Sequence, residues 1–433
     1  MRRTAICLVG ALVAGSVQAA DLREVYQEAV ANDAQLAAAK AQLAATRERI
    51  PQGLAGLLPD VSASANTSWN DVDSSTTGHR QYNSNARSIQ LTQPVFRLQN
   101  VIQYDQAKLQ VLQAEAQYQS VLQDLIVRVA QAYFDVLLAQ DALATLAVQE
   151  RAVAEQLESA KKNFEVGTAT ITDTHEAQAR HDLVVAQQIA AQNDLEVRQA
   201  VLRQIIGREP DKLASLRTPL RLDAPQPDEV GKWENAARSG AFPVQVQQAA
   251  LDIAIREREK AKAGHFPTLD VVASYGRTSS GFSFASGSTV ATSAAIGVQL
   301  AVPIYQGGAV SSRERETAAL KDKALSDLDA ARRAAALAAR QAFLGVKSGI
   351  AQVSALEQAL ISSKSALESN RLGYEVGVRI NIDVLNAQQQ VATTQRDLSK
   401  AYYDSLLAQL RLKAATASLG EADVQALNGF LGQ

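Results

Sequence analysis

Cysteine is nearly absent from these 433 residues: Cys7 is the only one. It lies inside an N-terminal apolar run, so the chain that remains after removal of that run has no thiol, which excludes disulfide staples and thiolate metal sites. Aromatic residues make up 5% of the chain, thin for one large compact core and better suited to helices packed closely through small side chains. The four histidines give no ligand spacing: His79 falls in a polar stretch, His265 at a hairpin edge, and His175 and His181, six apart, point to different helix faces. No glycine-rich phosphate loop or nucleophile elbow is present, so no catalytic residue, metal or other cofactor is expected. Lysine plus arginine (43) nearly balances aspartate plus glutamate (45) with the signs interspersed, which argues against nucleic acid as a partner. After the N-terminal run no stretch reaches the 18 or so apolar residues of a membrane helix, so any crossing has to be made by strands.

Residues 1–19 have two arginines, the apolar run Ala5 to Ala14 and a small-residue end, Val17-Gln18-Ala19, the layout of a secretory signal peptide. Beyond it the chain is duplicated. Phe164 to Gln178 reads FEVGTATITDTHEAQ and Tyr374 to Gln388 reads YEVGVRINIDVLNAQ, aligned without a gap at a spacing of 210. LTQPVF (Leu91 to Phe96) matches LAVPIY (Leu300 to Tyr305), and QAYF (Gln131 to Phe134) matches QAFL (Gln341 to Leu344). The expected organisation is a first structural repeat over 20–207, a linker over 208–243, a second repeat over 244–420 and a tail over 421–433. A period this long describes one pseudo-symmetric unit, not a solenoid.

Each FEVG/YEVG motif lies between long segments and predicts a helix-to-helix turn, with Gly167 or Gly377 in the left-handed conformation that ends a helix. Arg97 to Val166 has no glycine or proline, enough for a helical rod of about 100 Å. The companion helices are expected over Asp173 to Ile206, Ala309 to Leu372 with interruptions at Gly345 and Gly349, and Asp383 to Leu419. A further helix is expected from Asp21 to about Leu57.

Between helices come strands, about 60–95 and about 268–303. Val61, Ala63, Ala65, Thr67 and Trp69 alternate with Ser62, Ser64, Asn66, Ser68 and Asn70, while Ile296, Val298 and Leu300 alternate with Gly297 and Gln299. Taken alone these are compatible with surface hairpins, but one apolar and one very polar face suits a wall between lipid and a water-filled lumen. Asp71 to Asn85 and Arg277 to Thr289 are expected to be polar loops at the tips.

With its two helix–hairpin–helix–helix copies and the motifs ITD (Ile171 to Asp173), YEVGVR (Tyr374 to Arg379) and DVLNAQ (Asp383 to Gln388), the chain resembles the TolC-type outer-membrane factor family over nearly its whole length. The resemblance implies a mainly helical fold with a β-barrel portion: a homotrimer closing a 12-stranded barrel in outer-membrane lipid, continued by a 12-helix periplasmic α-barrel. It implies a passive exit channel for efflux or type I secretion, opened at its periplasmic end by an adaptor protein and an inner-membrane transporter. Thr172, Asp173, Tyr374 and Arg379 match the family's gate latch, and Val166, Gly167, Val376 and Gly377 form the turn tips that meet the adaptor. Asp383 matches its constriction-lining acid, where three copies around an axis favour cations. The second acid of that constriction is replaced here by Asn386, which implies a weaker cation preference.

Simpler roles stay open for these residues: Asp173 and Asp383 as helix caps, Tyr374 as an apolar contact at its turn, Arg379 as a solvated charge. A different class of function, a periplasmic coiled-coil adaptor or structural rod, accounts for the helices but leaves the lumen-like hairpins unexplained.

Overall fold

The computed structural model describes residues 20–432 apart from 77, 218–219 and 284–286; the expected signal peptide lies outside the described residues. In chain order the elements are α1 (Leu22–Asn32), α2 (Ala34–Arg47), α3 (Arg49–Ala55), β1 (Asp60–Ser74), β2 (Gly78–Phe96), α4 (Leu98–Glu165), α5 (Ile171–Ile206), α6 (Val230–Gly240), α7 (Phe242–Lys262), β3 (Thr268–Ser283), β4 (Gly287–Ala301), α8 (Ala309–Glu375), α9 (Asn381–Ala415) and α10 (Glu421–Asn428). No helix among the described residues is long and apolar enough to cross a membrane. The chain divides into two compact units, one of residues 1–37, 121–235 and 337–433, the other of 38–120 and 236–336. Both α4 and α8 contribute to each.

The second unit holds the sheet, a four-stranded antiparallel meander in the order β1-β2-β3-β4. Directly opposed residues share a face, and the register sorts the two faces by polarity. Val61 opposes Leu91 and Ala63 opposes Ile89, while Ser62 opposes Gln90 and Ser64 opposes Ser88. Across β3 and β4, Val271 opposes Val298 and Ala273 opposes Ile296, while Asp270 opposes Gln299. The expected loops are taken up by strand, 71–74 and 78–85 on one hairpin and 277–283 and 287–289 on the other: β1 and β2 pair from Asp60↔Thr92 to Ser74↔Gly78, and β3 and β4 from Thr268↔Ala301 to Ser283↔Gly287. Main-chain bonds make the ladder whatever the side chains, and polar side chains here bond across it. Thr67 donates to Asn83 at 3.0 Å, Asn70 to Ser84 at 2.9 Å and Gln81 to Asp71 at 3.0 Å. Polarity on both faces marks a strand standing in water, not its end.

Where the sheet meets the helices of this unit, Arg97 forks onto buried Asp270 through Nε–Oδ1 at 2.7 Å and Nη2–Oδ2 at 2.6 Å, a bidentate geometry that fixes angle as well as distance. Gln106 of α4 donates to Glu257 of α7 at 3.0 Å, and Arg313 of α8 reaches the same carboxylate at 2.9 Å.

The first unit has the larger core. Tyr133, Phe134, Leu125, Leu137, Leu202, Ile206 and Leu406 are fully buried; truncating either aromatic costs about 3–5 kcal/mol. Phe134 stacks on Tyr403 of α9 with ring centroids 5.5 Å apart. Tyr133 donates to the carbonyls of Ala214 (2.9 Å) and Ala20 (3.2 Å), fastening the coil between the repeats and the start of the described chain to α4. The tail joins the same coil through Arg217 N to Phe430 O and Gly432 N to Ser215 O.

Two expectations about helices are corrected. The first helix is three pieces: Asp33 leaves the helical region and caps α2 by accepting from Leu36 N at 2.7 Å, its charge met by Arg128 at 3.0 Å, and a turn at Glu48 separates α2 from α3. Pro51 is tolerated because it falls in the first turn of α3, where no N–H is needed. Conversely, α8 runs unbroken through Gly345 and Gly349. A glycine costs a helix only about 1 kcal/mol, and a Cβ on Gly349 would lie 2.6 Å from Ser405 Oγ, so its absence lets α9 approach.

Candidate functional site

Both duplicated turns lie in the first unit and repeat one backbone design. Gly167 (φ 77°) and Gly377 (φ 80°) take left-handed conformations. The amides of Thr168 and Ala169 return to Asn163 O, as those of Val378 and Arg379 return to Gly373 O. These bonds satisfy carbonyls that the ends of α4 and α8 leave orphaned. Apolar side chains on either side of the glycines are exposed: Val166 is 73% and Val378 79% accessible.

The helix starts differ. For α5 the cap is Thr170, not Asp173. Thr170 Oγ1 accepts from Asp173 N at 3.2 Å, and Asp173 Oδ2 accepts from Thr170 N at 2.9 Å and from its hydroxyl at 2.8 Å, a reciprocal capping box. For α9 the cap position is Ile380, which offers no side-chain bond, and Asp383 instead faces Arg379 at a loose 3.7 Å. Asp173, Tyr374 and Arg379 are therefore not joined within one chain. Asp173 and Asp383 are half-buried, while Thr172, Asn386 and Arg379 are exposed.

A set of polar bonds the sequence reading missed ties the two helix pairs together. Asn163 Nδ2 donates to Tyr374 Oη at 3.2 Å. Gln156 of α4 donates to Asn381, which is 2% exposed at the start of α9. Arg180 Nη2 of α5 donates to Asn386 Oδ1 at 3.0 Å, and Gln149 to Gln389 at 2.6 Å. Beneath them Val153, Leu157, Ala160, Ala177, Val184 and Leu385 form a small apolar core from α4, α5 and α9. The signal lay in the disagreements between the copies. Asn381 stands where the first copy has Ile171, and Asn386 where it has Glu176. Polar side chains meeting at helix seams specify one pairing at small net energy, while leaving them unpaired is costly. Such a seam can be held shut and exchanged for another partner's bonds.

Farther along the same helices a cleft of about 590 Å³ opens, lined by Asp141, Gln149, Lys364, Gln388, Ser399 and Tyr403 among others. Burial pushes the Asp141 carboxyl up from its ordinary range, against the opposing effect of hydrogen bonds from Tyr403 and Ser399; Tyr403 Oη donates to it at 2.9 Å. Neighbouring Tyr402 donates to Glu357 of α8 at 2.5 Å, and burial together with that carboxylate pushes the phenol up to about 12. Adjacent tyrosines of α9 thus clamp α4 and α8.

The sequence model of the outer membrane efflux protein family matches residues 25–208 and again 233–418, once per repeat. Outer membrane protein TolC of Vibrio cholerae is 34% identical, covering 97% of this chain and 95% of its own. The proteases secretion protein PrtF of Dickeya chrysanthemi is 32% identical, covering 99% and 95%. Among solved structures, the Campylobacter jejuni CmeC outer membrane channel matches with a TM-score of 0.81 over 94% of this chain and 88% of that one, at 16% identity, a likeness of fold.

Proposed function

The chain belongs to the outer membrane efflux protein family, and on that premise we propose that three copies close one barrel and one helical tunnel, gated at the paired turns. The protein is an outer-membrane exit duct that extends into the periplasm. The observation that carries the trimer is the open sheet: among the described residues β1 and β4 each have an edge with no partner strand. In lipid such edges leave backbone groups unsatisfied. Four strands cannot enclose a lumen, and about eight only just hold their own side chains. Twelve leave a channel, with the Ser, Asn and Gln face inward and the Val, Ile and Leu face toward lipid. A periplasmic adaptor or structural rod would have no use for that two-faced sheet.

Thr172, Asp173, Tyr374 and Arg379 act in this reading as a latch between neighbouring copies. Arg379 is exposed and only loosely held by Asp383, and the capping box uses Asp173 Oδ2, which leaves Oδ1 to accept from a neighbour. The exposed apolar turns around Val166, Gly167, Val376 and Gly377 are the surface for a periplasmic adaptor, which with an inner-membrane transporter would draw the seam apart. Purified in detergent, the protein should have the mass of a trimer by light scattering, and a stable monodisperse monomer would sink the barrel.

A further inference from the structure

Arg87 of β2 and Arg277 of β3 oppose each other directly in the ladder, so both side chains leave the same face with Cβ atoms about 4.5–5.5 Å apart. On one side of them along that face stand Ile89 opposite Tyr275 and Leu91 opposite Ala273; on the other stands Asn85 opposite Ser279. Their row is completed by Ala65 on β1 and Thr292 on β4. The pair therefore sits where the aliphatic band gives way to the polar strand ends that lead to the hairpin tips. Both arginines are exposed, and among the described residues neither has a hydrogen-bond or ion partner. The acids of the sheet are elsewhere: Asp71 and Asp73, three and four rows nearer the tip, lie opposite Gln81 and His79, while on the other face Asp60 lies opposite Thr92 and Asp270 is held by Arg97. Two like charges directly opposed weaken a ladder, so the arrangement calls for an anion between them. Two planar guanidinium forks match phosphate oxygens in pairs, which a point-charged ammonium does not.

We propose that Arg87 and Arg277 bind the phosphate of a phosphorylated outer-leaflet lipid, whose acyl chains lie along Ile89, Leu91, Ile296 and Val298. The proposal rests on the reading that this face meets lipid with the hairpin tips outside; failure of that reading would appear separately, as loss of the trimer or of channel conductance. The test is native mass spectrometry of the full chain in detergent with bis-phosphorylated lipid A, dephosphorylated lipid A and inorganic phosphate as probes. Wild type should retain the phosphorylated lipid in preference to the dephosphorylated one. Arg87→Gln with Arg277→Gln should retain it about a hundredfold less, some tenfold per arginine, with assembly and conductance unchanged. If that double variant does not assemble, the two single variants carry the same test. Arg87→Lys with Arg277→Lys should fall between, keeping the charge and losing the fork. Retention by the glutamine variants at the wild-type level, full retention by the lysine variant, or displacement of the lipid by millimolar inorganic phosphate would overturn the proposal.

Discussion

Asn163 of α4 gives its Nδ2 hydrogen to the phenol of Tyr374 on α8 at 3.2 Å, and Tyr374 is the repeat counterpart of Phe164, the residue next to that asparagine. The duplicated turns thus touch through one of the differences between the copies, which gives the hydroxyl of the second copy a partner. The bond is neutral and worth about 0.5–1.5 kcal/mol. Asn163→Ala and Tyr374→Phe should each lower the melting midpoint of the assembled protein, and together should lower it by clearly less than the sum of the two. Additive shifts would mean that the residues do not work as a pair.

Charge selectivity should follow the balance of Asp383, Asn386 and Arg180. Asn386 cannot supply a second ring of acid, and its carboxamide oxygen fixes the Arg180 cation beside it. Asp383→Asn is expected to abolish most cation preference in reversal-potential measurements, whereas Arg180→Gln should increase it.

Stability should depend on pH through Asp141 with the sign opposite to that of a salt-bridged acid. Its folded pKa is raised by burial, so its stabilising contribution is complete below the ordinary carboxylate value of about 4 and fades as pH rises through the folded value. Asp141→Asn, which keeps an acceptor for Tyr403, should therefore melt higher than wild type at pH 7.5, and the advantage should shrink toward pH 4. Asp33 is the contrast: burial opposes its charge, but the Arg128 hydrogen bond and backbone amides outweigh it and hold the pKa down. Its contribution is present at neutral pH and lost on acidification.

The hairpin tips are narrower than their polar composition suggests. An epitope inserted between Ser75 and Thr76 should be displayed on intact cells, since β1 and β2 pair up to Ser74↔Gly78. The same insertion after Asn70 or Tyr82, inside the polar stretch, should break the ladder and prevent assembly. Equal tolerance at all three sites would contradict the register.

The duplication made the fold legible. Periodicity gave the strands their two faces, and the absence of glycine and proline from 97–166 gave α4 its length. Helix α8 continues through Gly345 and Gly349 because a glycine costs a helix little, and at Gly349 the missing side chain lets α9 pack close. The strand ends are not legible in the sequence, because polarity reads as a loop signal where the ladder is made by the backbone. At the turns, the motif located Tyr374, Arg379 and Asp173 but not their partners within the chain. Asn163, Gln156 and Arg180 lie on other helices, and only tertiary packing brings them to Tyr374, Asn381 and Asn386.

Single-channel recording in planar lipid bilayers tests most directly whether this is a duct gated at its paired turns. Wild-type protein should give a small, stable conductance. Tyr374→Phe combined with Arg379→Ser removes hydrogen bonds of about 0.5–3 kcal/mol each and so shifts the closed-to-open balance by about one to two orders of magnitude for each 1.4–2.8 kcal/mol lost. The double variant should conduct several times more than wild type while remaining a trimer, with a melting midpoint close to that of Tyr374→Phe alone. An unchanged conductance from such trimers would contradict the gate, and no conductance from the wild type would contradict the duct itself.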